Sequence, residues 1–500
     1  MSRVLDQLQR WAEIRPDAVA LQDGRRTLSF AQLWQSVVQL RTQIRAGGHS
    51  VIALAGDNTF AWITADLALL GLPVRAIPIP SFFSSQQIQH IFRLAQVDLV
   101  LATQVDMQRV PGINPVQLCL LDAELDLVSC HLPVLTHYAG DYEKVTFTSG
   151  STGAPKGVRL ALDTLEHTAL AIAETLADIG IESHLGVLPY ATLLENCAGI
   201  YAPLLQGVSI HVRQLAELGL ASPDQFNPMQ FVGVLQQLQP HATILVPQLM
   251  LALVTLMQRG LMSQHAFRFI AVGGGKVSPQ VLIQAEALNL PVYEGYGLSE
   301  CGSVVTLNTP SQRKIGSVGK VLPHVRLAIN AQGEIQVRGS VMRGYLGEAD
   351  RHGETILTGD LGNVDEDGFV YVSGRCKHLF ITAFGRNVNP EWIESELLGE
   401  LAIAQVAVFG EAQSFNTAIV VLRQGFDQQA LDAAVAQVNS RLPDYARIGQ
   451  VILATQPFTA ANGLATANGR LRRDAIAQDY CEQLNQETPN GIFSTAATAN

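Results

Sequence analysis

The sequence predicts an α/β fold with more than one domain, and three observations carry that expectation. Short apolar, β-rich runs alternate with longer helical patterns through the first half of the chain, as in sheets whose strands are joined by crossover helices. From about residue 325 the texture changes to strand pairs separated by polar, Gly-ending turns. Five hundred residues with 48% hydrophobic content can bury a large core, and that length suggests a second domain.

The predicted strands of the first half lie at residues 51–55, 99–102, 185–188, 208–212, 243–246 and 267–272, and largely parallel sheets follow from the segments between them. One helix is well marked. Asp163 and Glu166 stand at capping-box spacing, Leu165, Ala169, Ile172, Leu176 and Ile179 recur every three or four residues, and Gly180 supplies a stop. Further on, 325–329 and 334–338 flank Asn330-Ala331-Gln332-Gly333, while 361–364 and 369–372 flank Asp365-Glu366-Asp367-Gly368, so two hairpins are expected. The stretch 481–500 is polar and is expected to be disordered.

A formal charge of −11 argues against a nucleic-acid partner, which needs a basic face. Six scattered cysteines without metal-type spacing read as reduced thiols. Arg3, Asp6, Arg10, Glu13 and Arg15 leave no room for a signal-peptide core. The apolar run 244–257 contains Pro247 and Gln248 and falls short of the ~18 residues a membrane span needs. A cytoplasmic protein with no transmembrane segment is therefore expected.

The chemistry centres on Thr148-Ser149-Gly150-Ser151-Thr152-Gly153-Ala154-Pro155-Lys156-Gly157, between two apolar runs. Glycines let a backbone approach an anion, hydroxyls donate to phosphate oxygens, and the lysine supplies charge. It is not a Walker A loop, which requires Gly before the Lys and Ser or Thr after it; those places hold Pro155 and Gly157. Alone, such a cluster would be read as a surface turn. Three more segments change that reading: Tyr293-Glu294-Gly295-Tyr296-Gly297-Leu298-Ser299-Glu300, then Thr358-Gly359-Asp360-Leu361-Gly362, then Gly374-Arg375-Cys376-Lys377 leading into Gly385-Arg386-Asn387-Val388. Four ordered clusters over residues 5–475 resemble the AMP-forming acyl-activating enzymes, which comprise acyl-CoA synthetases, luciferases and peptide-synthetase adenylation domains.

The resemblance implies a large multi-layer α/β domain with a β-hairpin or barrel portion over residues 1–373. A small α+β lid over 374–480 follows it, turning about Lys377 between two half-reactions. It further implies ATP, Mg²⁺, a carboxylic acid, and CoA or a carrier protein's phosphopantetheine as acceptor. By similarity Lys156, Thr148, Ser149, Gly150, Ser151, Thr152 and Gly153 hold phosphates, and Glu300 with Thr152 holds the metal. Tyr296 and Gly273-Gly274-Gly275 flank adenine, Gly297 and Ser299 also bind the nucleotide, Asp360 takes the ribose hydroxyls, and Arg375 contacts ribose and phosphate. Taken singly, Glu300 would be a solvated carboxylate, Asp360 a turn residue and Arg375 surface charge.

One departure stands out in Asn468-Gly469-Arg470-Leu471-Arg472-Arg473. The family's catalytic lysine position holds Arg470, which keeps the charge but spreads its donors over a planar fork. Arg472 and Arg473 read as surface charge. The segment 188–196 resembles the acyl-pocket wall of fatty acyl-CoA synthetases, placing Tyr190, Thr192, Leu193, Leu194 and Gly199 at the substrate; Thr192 stands where many relatives have histidine or an aromatic. Gly385 belongs, by similarity, to the lid surface along which a phosphopantetheine arm enters. The expected activity is activation of a medium- to long-chain fatty or similar apolar acid through an acyl-adenylate, then thioester formation. An aryl- or amino-acid adenylating enzyme is the first alternative. A nucleotide- or acyl-adenylate-binding protein impaired by Arg470 is the second.

Overall fold

The computed structural model describes residues 2–113, 118–134, 137–148, 155–222, 225–351, 354–466 and 469–485. Two large sheets form the first domain. In the eight-stranded sheet, Arg75–Ile79, Val51–Ala55 and Leu99–Thr103 run parallel at the centre, and the hairpin of Glu143–Thr148 with Lys156–Ala161 continues it. Every residue of Val51–Ala55 is buried, which is why that strand reads as an unbroken apolar run. The nine-stranded sheet has a parallel core in the order Val292–Tyr296, Phe269–Val272, Ala242–Leu245, Ser183–Leu185, Ser209–His211 and Val19–Gln22. One apolar core joins Ile52 and Leu160 of the first sheet to Leu21 and Ile210 of the second, with helix Phe60–Leu69 wholly buried in it.

The strand predicted at 185–188 ends instead at Leu185. Beyond it Gly186 packs so closely that a Cβ would lie 2.6 Å from the Tyr190 ring, and the Leu188 N–H turns to donate to Glu195 Oε2. The predicted helix forms over Leu162–Leu176, followed by a 3₁₀ turn that Gly180 ends in the left-handed region. Its expected capping box is absent. Ala161 is the N-cap, Asp163 is exposed, and Glu166 is buried, where it accepts from Ser2 Oγ at 2.6 Å and the Val4 N–H at 3.3 Å. A carboxylate three residues into the pattern was thus recruited by a distant segment, which spacing cannot reveal.

Lys144, on strand Glu143–Thr148, fastens the eight-stranded sheet to helix Phe60–Leu69 and to the helical segment Glu195–Tyr201. Its ammonium is buried and donates to Asp66 Oδ1 at 2.7 Å, Asn196 Oδ1 at 2.6 Å and the Tyr201 hydroxyl at 2.7 Å, using all three of its protons. Asn196 and Tyr201 lie on a π-helix, Glu195–Tyr201, a rare geometry that this buried cation helps to hold.

Both expected hairpins form, and they unite in a four-stranded antiparallel sheet of Val325–Ile329, Glu334–Gly339, Ile356–Val364 and Val370–Arg375. The last pairing sets Asp360 opposite Arg375. The division expected at 373/374 falls inside that final strand. Beyond it Ile403–Phe409, Asn416–Leu422 and Ile448–Leu453 form a small mixed sheet, and helices Pro390–Leu398 and Gln428–Arg441 share an apolar core with it. The disorder expected from residue 481 is corrected over Cys481–Leu484, which is helical because Leu484 packs with Ile476 and Tyr480. Residues 486–500 lie outside the described residues. Among the described residues no helix is long and apolar enough to cross a membrane.

Candidate active site

A continuous cleft of ≈ 2900 Å³ runs between the two domains and into the first. Lys156 and Thr148 face each other across the hairpin register at its edge, because the intervening loop leaves and re-enters at those two residues. Ser149, Gly150, Ser151, Thr152 and Gly153 fall outside the described residues. The Lys156 ammonium sits 5.5 Å over the ring of Tyr345. That tyrosine's hydroxyl donates to Glu300 Oε1 at 3.0 Å, so one aromatic links the predicted phosphate-binding cation to the predicted metal ligand. Burial pushes the Tyr345 phenol up, and Glu300 adds to the shift.

Glu300 lies in a 3₁₀ turn directly after strand Val292–Tyr296. The turn doubles back tightly: a Cβ on Gly297 would overlap the Ser303 carbonyl, so only glycine fits there. Tyr296 donates to Asp360 Oδ2, and Arg375 Nε lies 2.9 Å from Asp360 Oδ1. Burial lifts the Asp360 carboxyl above its ordinary value; Arg375, Tyr296 and Arg470 oppose this, and Glu391 adds to it. Gly273, Gly274, Gly275 and Ser299 line the same cleft, the glycines following strand Phe269–Val272.

Arg470 comes from the second domain and reaches the same cleft. It is open to solvent there, yet surrounding protein draws its pKa below the usual value, as does Arg375. Glu300, Asp360 and Glu391 pull the other way, which places Arg470 within the field of both predicted ATP-site carboxylates. A guanidinium keeps its charge throughout. Lys377 also lines the cleft, two residues beyond the Arg375 contact. Arg473 is not surface charge: it pairs with Glu394 and donates to the Val408 carbonyl, with its side chain 14% exposed.

The acyl-side expectations divide. Thr192, Leu193 and Leu194 line the cleft, with the Thr192 hydroxyl bonded back to the Pro189 carbonyl at 2.7 Å. Tyr190 and Gly199 do not. Tyr190 is core, its ring 5.8 Å from Trp62, and Gly199 faces the other side of the π-helix, where a Cβ would overlap Glu195 Oε1 and lie 2.8 Å from His184 Nε2. An apolar arm of the cleft that the sequence left unassigned is lined by Ile172, Ala173, Ala198, Ala202, Ala242 and Phe269. Gly385 sits in an exposed turn outside the cleft, in the left-handed region at φ +71°.

Four polar residues escaped the sequence reading: Tyr345, Glu294, Lys276 and Glu391. Glu294 is buried beside the glycine loop, and burial raises its pKa to about 7 against the opposing effects of the Val277 N–H and Lys276. Glu294 did stand inside a quoted motif; the others had no local signal.

Residues 8–346 match the AMP-binding enzyme family, and residues 378–487 match the AMP-binding enzyme C-terminal domain. The chain belongs to the AMP-binding enzyme family. It is a member of the AMP-forming CoA ligases, adenylate-forming enzymes with a large α/β domain followed by a smaller one. The long-chain-fatty-acid–CoA ligase FadD15 of Mycobacterium bovis is 26% identical over 554 residues, covering 90% of this chain and 92% of that one. The 2-succinylbenzoate–CoA ligase of Bacillus subtilis is 26% identical over 427 residues, covering 81% and 84%. The fold matches o-succinylbenzoate CoA synthetase (MenE) from Bacillus subtilis in complex with ATP and magnesium, with a TM-score of 0.72, 21% identity, and coverage of 94% and 98%. It also matches the anthranilate CoA ligase AuaEII, with a TM-score of 0.77, 17% identity, and coverage of 95% and 96%.

Proposed function

We propose that this ligase activates a medium- to long-chain fatty acid, or a similarly apolar carboxylic acid, with ATP and transfers the acyl group to CoA. The apolar arm between helix Leu162–Leu176, the π-helix and the nine-stranded sheet carries this reading. Its small alanines leave a slot for an alkyl chain rather than a charged side chain. A carrier protein's phosphopantetheine presents the same thiol arm as CoA, and the relatives' names favour CoA.

In the first half-reaction a carboxylate oxygen attacks the α-phosphorus of ATP and the bond to the pyrophosphate leaving group breaks. Bringing an anion to a polyanion makes charge neutralisation the main task. Lys156 is assigned to the β- and γ-phosphates, Arg470 to the attacking carboxylate and the α-phosphate, and Asp360 to the ribose hydroxyls. Tyr296 and Arg375 hold the Asp360 carboxylate in place. The donor set also suits Mg²⁺: Glu300 is a hard oxygen ligand at the cleft, and among the described residues no cluster of three His, Cys, Asp or Glu competes for a softer metal. When bound, the ion would neutralise phosphate charge. In the second half-reaction the thiol sulfur attacks the acyl carbon, AMP leaves, and the thiol proton passes to solvent.

Pyrophosphate release should be measured with acids from hexanoate to stearate, alongside benzoate, 2-succinylbenzoate and amino acids, and followed by thioester formation with CoA or holo-carrier protein. Preference for the alkyl acids is expected. Preference for an aryl acid would favour the alternative to which His184 lends weight, since that imidazole lines the cleft and pairs with Glu195 at 2.9 Å. Absence of acid-dependent pyrophosphate from every acid, with ATP binding intact, would leave only the impaired binding protein.

A further inference from the structure

We infer that Glu391 is a positioning residue: its carboxylate clamps the hinge in the lid orientation that carries Arg470 into the cleft, and must let go before the thiol step. This rests on the adenylate-forming reading given above.

Glu391 stands in the first turn of helix Pro390–Leu398 in the second domain. Its Oε2 accepts the Arg375 backbone N–H at 2.9 Å, and its Oε1 lies 2.6 Å from His378 Nδ1. Those two partners bracket Lys377, so one side chain spans both sides of the proposed hinge. Arg375 is also the residue whose guanidinium holds Asp360, which means that the clamp fixes the backbone of a site residue.

A second contact acts alongside it. Asn389 caps the same helix through the Glu391 N–H at 2.9 Å and donates to the Ser373 carbonyl at 2.6 Å. Gly374 makes that possible: its φ is +149°, and any Cβ there would overlap the Asn389 amide. The lid helix therefore grips the chain just before the hinge at Ser373 and Arg375, and just after it at His378. A rotation about Lys377 cannot leave the Ser373 and Arg375 contacts intact.

Charge points the same way. Glu391 acts on Arg470 and on Lys276, favouring the charged form of each. Burial pushes the Glu391 carboxyl up, but His378, Arg473 and Arg375 more than offset this and hold it below the usual range. It is thus an anion set among cations from both sides of the hinge.

The test compares wild type, Glu391→Ala and Glu391→Gln in full-length protein, with unfolding midpoints confirming that each variant folds. Three quantities are read: acid-dependent pyrophosphate release, thioester formation from supplied acyl-adenylate and CoA, and hydrogen exchange of the peptide spanning residues 373–379. Glu391→Ala is expected to slow pyrophosphate release by about ten- to a hundredfold, the scale of a charge-assisted hydrogen bond. Thioester formation should be unchanged or faster, and exchange should accelerate. Glu391→Gln, which still accepts from the Arg375 N–H, should fall between. Loss of both half-reactions together, loss of the thiol step alone, or no change in either would overturn the clamp. If wild type activates no acid at all, the adenylate-forming reading fails on its own, and unaltered exchange in Glu391→Ala would then overturn the clamp separately.

Discussion

The Tyr296 hydroxyl lies 2.7 Å from Asp360 Oδ2 and donates to it, joining a residue at the end of a parallel strand to one in an antiparallel sheet. Arg375 occupies the other carboxylate oxygen. The carboxylate is thereby oriented before any ribose arrives. Asp360→Ala should raise the KM for ATP by about ten- to a hundredfold, since it removes a charged acceptor. Tyr296→Phe, which leaves Arg375 in place, should raise it only several-fold. Steady-state pyrophosphate release against ATP concentration measures both.

Arg470 lies in the field of Glu300 and Asp360. Arg470→Ala should lower the rate of adenylation by about a hundred- to a thousandfold, the cost of losing one donor aimed at developing charge. Arg470→Lys is expected to lower it too, because a point ammonium replaces a planar fork of donors. A large gain in Arg470→Lys would identify the arginine as the cause of an impaired enzyme. Single-turnover pyrophosphate release distinguishes the two.

The π-helix is intolerant on its packed side and open on its cleft side. Gly199→Ala would drive a methyl into Glu195 and His184, and should destabilise the protein by roughly 1–3 kcal/mol, read as a lowered unfolding midpoint. Ala202→Leu, at the first residue of the α-helix that follows the π-helix, faces the cleft instead. It should leave the midpoint within a few degrees while shifting preference toward shorter acids in a chain-length series.

Acid should destabilise the fold through two histidines. Burial, reinforced by Arg213 at His211 and by His167 at His324, lowers each pKa to about 4. The unfolded chain takes up those protons near the ordinary value of about 6.5, so between the two values the unfolded state binds more protons. Stability therefore falls as pH drops from about 6.5 to about 4, by at most ~1.4 kcal/mol per pH unit for each group. Urea midpoints at about pH 7 and about pH 5 should differ, and His324→Gln should narrow the difference.

The sheets and the nucleotide side were legible because their signals are local. Val51–Ala55 is apolar throughout because it is buried on both faces, and the two Gly-ending turns mark hairpins within a few residues. Asp360, Glu300 and Lys156 were found through motifs that each occupy one short segment, and the cleft brings them together. What escaped was long-range pairing. Glu166 looks like a capping residue until Ser2 arrives from 164 positions away. Tyr345 has no neighbouring pattern at all, and its place between Lys156 and Glu300 depends on a strand pairing, Gly344–Tyr345 against Lys156–Ala161. Gly199 stands at the substrate by resemblance alone, and the π-helix that turns it toward Glu195 and His184 leaves no trace in the sequence.

The buried ammonium of Lys144 has a bearing on how the first domain comes apart. Its three partners belong to helix Phe60–Leu69 and to the π-helix, so parting these layers would strand a cation and the Asp66 carboxylate in an apolar interior. Partial melting at that seam is therefore penalised more heavily than complete melting, where water receives both charges. The two sheets should lose structure together, giving the first domain a single sharp calorimetric transition rather than a stepwise one.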